Sequence, residues 1–233
     1  MTLGLKPGDR VLVVAPHPDD ETLGAGGTIA RLTAEGIEVH VLAVTCYALP
    51  RWGQPASTEQ RREEFEAACD ALGVAGRGIA WAEDERARHL EAHLTELIRL
   101  IEDGPDLSLN ALRPTALLMP GTGAVHQEHR LVHRACYAAA RPSGTTRHSP
   151  DIVLGFEGPE DYTWGTSPEH RPILVDITDS APAKDKALGC YRREMRDAAH
   201  PRSAERIWAI DAARAAALGT ERAEAFSVYR MAW

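Results

Sequence analysis

Residues 11–15 read VLVVA and residues 16–27 read PHPDDETLGAGG: an apolar run, a turn carrying His17, Asp19 and Asp20, and the start of a helical stretch. The turn falls at the carboxyl end of an expected strand, the edge at which open α/β sheets bind ligands. A histidine and an aspartate three residues apart can ligate one metal ion, leaving the intervening Asp19 free to act as a base. The simpler reading is that Asp19 or Asp20 caps the following helix, since Asp is a favoured N-cap.

Outward from this turn, short apolar runs alternate with amphipathic stretches, the pattern of a parallel sheet flanked by helices. Strands are expected at Val11–Ala15, Glu38–Val44, Thr115–Met119, Ile152–Phe156 and Ile173–Ile177, with a weaker one at Gly78–Trp81. Helices are expected at Glu21–Ala34, Thr58–Leu72, Arg88–Ile101, Glu128–Ala140, Pro182–Met195 and Ala204–Leu218. In Arg88–Ile101, the residues Leu90, Leu94, Leu97, Ile98 and Ile101 share one face. Gly36, Gly73 and Gly104 stand where helices should end. With no long polar linker and no internal repeat, residues 1–233 read as a single domain. The loops 47–57 and 155–172, rich in Gly, Pro and aromatics, follow expected strands and are placed to wall a pocket.

Composition narrows the function. A formal charge of −8 argues against a nucleic-acid-binding face. No run approaches the roughly 18 apolar residues that span a bilayer. MTLGLKPGDR lacks the features of a secretory signal, and Cys46, Cys69, Cys136 and Cys190 form no C-x-x-C pair. A reduced, cytoplasmic compartment is expected.

The second informative segment is GTGAVHQEHRLVHRA, residues 121–135, after the Thr115–Met119 strand. His126 and His129, three apart near a helix start, can reach one site, and His133 at i+4 from His129 is an alternative or packs against a neighbour. With His17 and Asp20 these histidines complete a 2-His-1-carboxylate set, suited to zinc with an open position or to ferrous iron. GAGG also resembles part of a dinucleotide loop, but no G-x-G-x-x-G lies between strand and helix, and the acidic turn would repel a pyrophosphate.

PHPDDETLGAGG followed by H-x-x-H resembles the LmbE-like (PIG-L) family of zinc-dependent N-deacetylases. RREEFEAACDALGV (61–74), ILVDIT with KDKAL (173–188) and GTERAEAF (219–226) extend the similarity over nearly the whole chain. The resemblance implies a Rossmann-like three-layer α/β/α sandwich with a mostly parallel central sheet. It implies one Zn2+ per chain (Fe2+ as the alternative), held by His17, Asp20 and His129. Asp19 is then the general base toward a zinc-activated water, and His126 stabilises or protonates the tetrahedral intermediate. Arg61 matches a pocket-lining arginine. Glu128 stands where the family most often has Asp, within reach of His126, whose pKa it is expected to raise.

The implied substrate is a small N-acylated, most often N-acetylated, amino sugar or glycoconjugate. The alternatives are a larger amide such as a thiol-sugar conjugate at the same metal, or a non-catalytic nucleotide-binding domain. Neither nucleic acid nor membrane is expected as a partner; a homo-oligomer is compatible. The chain departs from the family at Ala124, where some relatives place a tyrosine, and at CYRREM (190–195), where a Tyr-x-Ser-Gln-like stretch is common. Trp52, Tyr162 and Trp164 match nothing assignable; such aromatics stack on sugars or pack loop bases.

Overall fold

A computed structural model describes residues 1–48, 57–144, 146–165 and 172–232. The strands are β1 (Arg10–Ala15), β2 (Glu38–Cys46), β3 (Gly76–Ala82), β4 (Ala116–Pro120), β5 (Ile152–Phe156), β6 (Ile173–Asp176) and β7 (Ala223–Met231). All seven belong to one sheet, in the order β3-β2-β1-β4-β5-β7-β6. The pairs from β3 through β5 are parallel, whereas β7 runs antiparallel to both β5 and β6. The helices are α1 (Asp20–Ala34), α2 (Thr58–Leu72), α3 (Glu85–Arg88), α4 (Leu94–Asp103), α5 (Leu109–Leu112), α6 (Gln127–Ala139), α7 (Pro159–Trp164), α8 (Ala181–Leu188) and α9 (Ala204–Ala215).

Strand β1 explains the layering. Its successive side chains point to opposite faces, and every one of Val11–Val14 is fully buried. Val11 and Val13 pack with Ile29 of α1 and Phe65 of α2. Leu12 and Val14 pack with Leu97 of α4 and Val132 of α6. A strand apolar on both faces needs helices on both sides, which is why the sheet is mainly parallel and the fold has three layers. No helix among the described residues is long and apolar enough to cross a membrane, and the four cysteines are free.

Several elements differ from the sequence expectation. Strand β7 was not expected, because AEAFSVYRM mixes small, charged and apolar residues; it enters the sheet between β5 and β6. The helix expected over Arg88–Ile101 breaks at His89 (φ −131°, ψ 53°), which leads into a 3-10 turn at Leu90–His93. The apolar stripe survives the break, since Leu90, Leu97 and Ile101 are all fully buried. The helix expected over Pro182–Met195 stops at Leu188, and the chain then turns so that Tyr191 is buried with its hydroxyl on Glu21 (2.6 Å). By contrast α2 keeps its expected bounds, with Ser57 accepting from Gln60 N–H and Gly73 left-handed at the C-cap.

The GAGG run lies inside α1 rather than in a loop, so it forms no glycine cradle for a pyrophosphate. Its glycines let the helix approach the sheet. A Cβ on Gly24 would stand 2.4 Å from Phe156 Cδ2, and one on Gly27 would stand 2.8 Å from Ile177 Cβ. The same contact is locked by charge: Glu224 of β7 accepts the Gly27 and Thr28 N–H groups (2.9 and 2.7 Å). The buried Lys184 ammonium joins Glu224 to Asp211, at 2.9 Å from each. Because Ile177 meets Gly27 through its Cβ, no rotamer change relieves a methyl there. Gly27→Ala is therefore expected to destabilise the protein by about 1–3 kcal/mol, read as a lower urea midpoint with an unchanged slope.

Candidate active site

The turn after β1 is held in a backbone conformation that sequence alone does not announce. Asp19 has φ 120°, ψ −31°, a region that a non-glycine residue keeps only where its surroundings enforce it. Glu21, fully buried, supplies the restraint: its Oε2 accepts Asp19 N–H (3.1 Å), and its Oε1 accepts the hydroxyls of Thr22 and Tyr191 (2.6 Å each). Asp19 occupies the N-cap position, but its side chain accepts no helix N–H. It points instead to Arg202, whose Nη1 donates to Asp19 Oδ2 at 2.6 Å. The simple capping reading therefore fails for Asp19. Asp20 turns the other way and accepts the His17 N–H at 2.9 Å.

Asp20 Oδ2 is where the two sequence motifs meet. It lies 3.1 Å from His17 Nδ1 and 3.1 Å from His129 Nε2. The far nitrogen of each ring faces a carboxylate: His17 Nε2 is 2.5 Å from Glu128 Oε2, and His129 Nδ1 is 3.8 Å from Asp161 Oδ2. His129 sits in the first turn of α6, just past the end of β4. His126 is the N-cap of that helix, and its Nδ1 accepts Glu128 N–H (3.3 Å). In the neutral ring the proton is then on Nε2, which makes that nitrogen a hydrogen-bond donor. The His126 ring lies 5.2 Å from both the His17 and the His129 rings. His133 is turned away: it is buried, with Nδ1 2.8 Å from the Pro120 carbonyl oxygen and its ring against Tyr229.

His17, Asp19, Asp20, His126, His129 and Asp161 line one cleft of about 720 Å³, together with Tyr47, Arg61, Glu160, Trp164, Glu194 and Arg202. Arg61 is a mostly covered residue whose Nη1 donates to the Tyr47 carbonyl (3.0 Å), not a solvated surface charge. The two loops do supply walls, through Tyr47 from one and through α7 from the other. Trp164, 57% exposed, stands at the cleft with His200 against it, whereas Tyr162 stacks under Arg214 outside. Trp52 lies outside the described residues. Sequence reading missed Arg202, which also pairs with Glu160, and Asp161, which accepts Val125 N–H at 2.9 Å. Neither sits in a motif; only the fold brings Asp161 and Arg202 to this cleft.

The electrostatics follow from burial and pairing. Burial pushes the Asp19 carboxyl up to about 7, against the lowering effect of Arg202. Burial opposes charge on His129, but Asp20 and then Asp161 outweigh it and hold the imidazole up at about 10. His126 is pushed down to about 4 by desolvation and by the neighbouring His17 and His129. The expected upward shift of His126 is therefore corrected: Glu128 does favour its cation, but the Glu128 carboxylate is engaged with His17. A neutral His126 thus carries a hydrogen-bond donor at Nε2, and the Asp19 carboxyl titrates close to neutrality.

The donor set fits a divalent metal. His17, Asp20 and His129 offer ligand atoms within 4.8 Å of one another, and His17, His126 and Glu128 form a second such group. Two imidazoles and a carboxylate suit zinc or ferrous iron. The carboxylates behind His17 and His129 match the outer support that ligating histidines use.

The chain resembles known proteins in sequence and in fold. A sequence profile of PIG-L, GlcNAc-PI de-N-acetylase, matches residues 12–140. The chain is 27% identical to 1D-myo-inositol 2-acetamido-2-deoxy-alpha-D-glucopyranoside deacetylase 1 of Saccharopolyspora erythraea, over 84% of this chain and 80% of that protein. It is 32% identical to the deacetylase for the same substrate from Rhodococcus opacus, over 64% of this chain but only 58% of that protein's length. Among solved structures, N,N'-diacetylchitobiose deacetylase from Pyrococcus horikoshii superposes with a TM-score of 0.73 at 21% identity, covering 94% of this chain and 83% of that one.

The raised His129 value makes a stability prediction for metal-free protein. The folded state keeps the imidazolium where the unfolded chain releases its proton near pH 6.5. The pairing therefore stabilises fully below about pH 6.5, and its contribution is lost as the pH rises through about 10. The urea-midpoint advantage of the wild type over Asp20→Asn is expected to be largest near pH 6 and to shrink steadily toward pH 10.

Proposed function

The chain belongs to the PIG-L (LmbE-like) family, and on that premise we propose that it is a metal-dependent hydrolase removing an N-acetyl group from an amino sugar or glycoconjugate. The observation that carries the reading is the convergence of His17, Asp20 and His129 on one point of a cleft, with Asp19 and His126 beside them. His17, Asp20 and His129 would hold the ion, with zinc the favoured metal and ferrous iron the alternative. When bound, it supplies Lewis acidity toward water and the amide carbonyl.

The chain's own residues supply the rest. Asp19, fixed by Glu21 and Arg202, accepts the proton of the attacking water as its oxygen bonds to the carbonyl carbon. His126 donates from Nε2 to the oxygen on which negative charge develops, a contribution typically of a few kcal/mol. Asp19 then returns its proton to the amine nitrogen as the C–N bond breaks, leaving acetate and a free amine. Arg61 and Trp164 line the approach, and a cleft of about 720 Å³ is within the range used for drug-sized ligands. That size favours a conjugate over a lone monosaccharide, and a larger amide on the same metal is the second reading.

Equilibrium dialysis against zinc is the direct test of the metal. The wild type is expected to hold about one ion and Asp20→Ala none; an empty wild type would remove the basis of the reading. Asp19→Asn is expected to keep the metal and lower the rate of amine release from N-acetylated amino-sugar conjugates by about 10²–10⁴-fold. Retained turnover in that variant would assign the base elsewhere.

A further inference from the structure

His17 is supported from behind by two residues that lie on different elements. Its Nδ1 faces Asp20, and its Nε2 lies 2.5 Å from Glu128 Oε2. The other oxygen of the same carboxylate, Oε1, accepts the Tyr47 hydroxyl at 3.1 Å. Tyr47 follows β2, His17 follows β1 and Glu128 begins α6 after β4. Since β2, β1 and β4 are adjacent in the sheet, the three side chains form a row along its carboxyl edge. Glu128 is 6% exposed, so a buried carboxylate is shared between one imidazole and one phenol. Its only hydrogen bond to His126 is through its backbone N–H.

A ligating imidazole is oriented, and made a better donor, by the group its second nitrogen faces. The corresponding contact behind His129 is longer, at 3.8 Å, so the close support in this site is on the His17 side. We propose that Glu128 and Tyr47 are positioning residues for His17, acting in series to set the affinity of the site for its metal. The proposal rests on His17 being a metal ligand, as argued under Proposed function.

The test is zinc affinity, by competition with a chromogenic chelator, for the wild type, Tyr47→Phe, Glu128→Met, Glu128→Gln and the Tyr47→Phe/Glu128→Met double variant. All are expected to bind one zinc. Glu128→Met should weaken binding by about 10–100-fold, and Glu128→Gln, which keeps an acceptor for the imidazole N–H, should fall between it and the wild type. Tyr47→Phe should weaken binding by a smaller factor. The double variant should match Glu128→Met alone, because the phenol acts through the carboxylate. Cobalt-substituted variants should keep the visible absorption band of the wild type, as the ligand set is unchanged.

Equal affinities across the series, or a double variant weaker by the product of the single effects, would overturn the proposal. So would loss of stoichiometric metal and an altered cobalt band in Glu128→Met, which would make Glu128 itself a ligand. A wild type that binds no metal would instead sink the reading on which the proposal rests. Urea midpoints of the metal-free variants separate these outcomes from a failure to fold.

Discussion

The site depends on one buried carboxylate that does not itself line the cleft. Glu21 gathers the Asp19 N–H and the Thr22 and Tyr191 hydroxyls, and so holds Asp19 at a φ of 120°. That unusual backbone angle sends two adjacent aspartates to two different tasks. Asp20 reaches the imidazoles, and Asp19 reaches Arg202. At a relaxed helix start the N-cap carboxylate would instead accept an N–H of the first turn, as N-cap aspartates commonly do.

Charge is arranged in the cleft with similar economy. Burial alone would neutralise Asp19 and both inner histidines. Arg202 opposes this at Asp19, and Asp20 with Asp161 opposes it at His129. The result is an Asp19 raised to about 7 and a His129 raised to about 10, next to a His126 pushed down to about 4. Environments that push the proton affinities of neighbouring groups apart are the physical basis for holding an acid and a base in one site.

Much of this was legible in the sequence because it is local. The turn at residues 16–20 and the His126–His129 pair each sit directly after an apolar strand, so the sheet edge brings them together. Strand β1 could be recognised because both its faces are apolar. The alternation and spacing that reveal such elements say nothing about β7, whose residues lack a uniform face. They are equally silent about Arg202, which reaches the cleft from a segment without a motif. Glu128 was recognised as part of the site but assigned to the nearer histidine in sequence. The carboxylate instead reaches across the fold to His17, a partner 111 positions away.

The antiparallel insertion of β7 between β5 and β6 has a consequence for how the molecule comes into being. β6 finds its hydrogen-bonding partner only in a strand made after it. Glu224 on that strand then reaches back 197 positions to the N–H of Gly27. A nascent chain can therefore pair β1 to β5 and pack α1 on them early, yet the Glu224 bonds to α1 form only once β7 is in place. Closing so long a loop is entropically slow. The anchoring of α1 to the sheet is thus completed by β7, and a chain cut short before β7 exposes unpaired edges on β5 and β6.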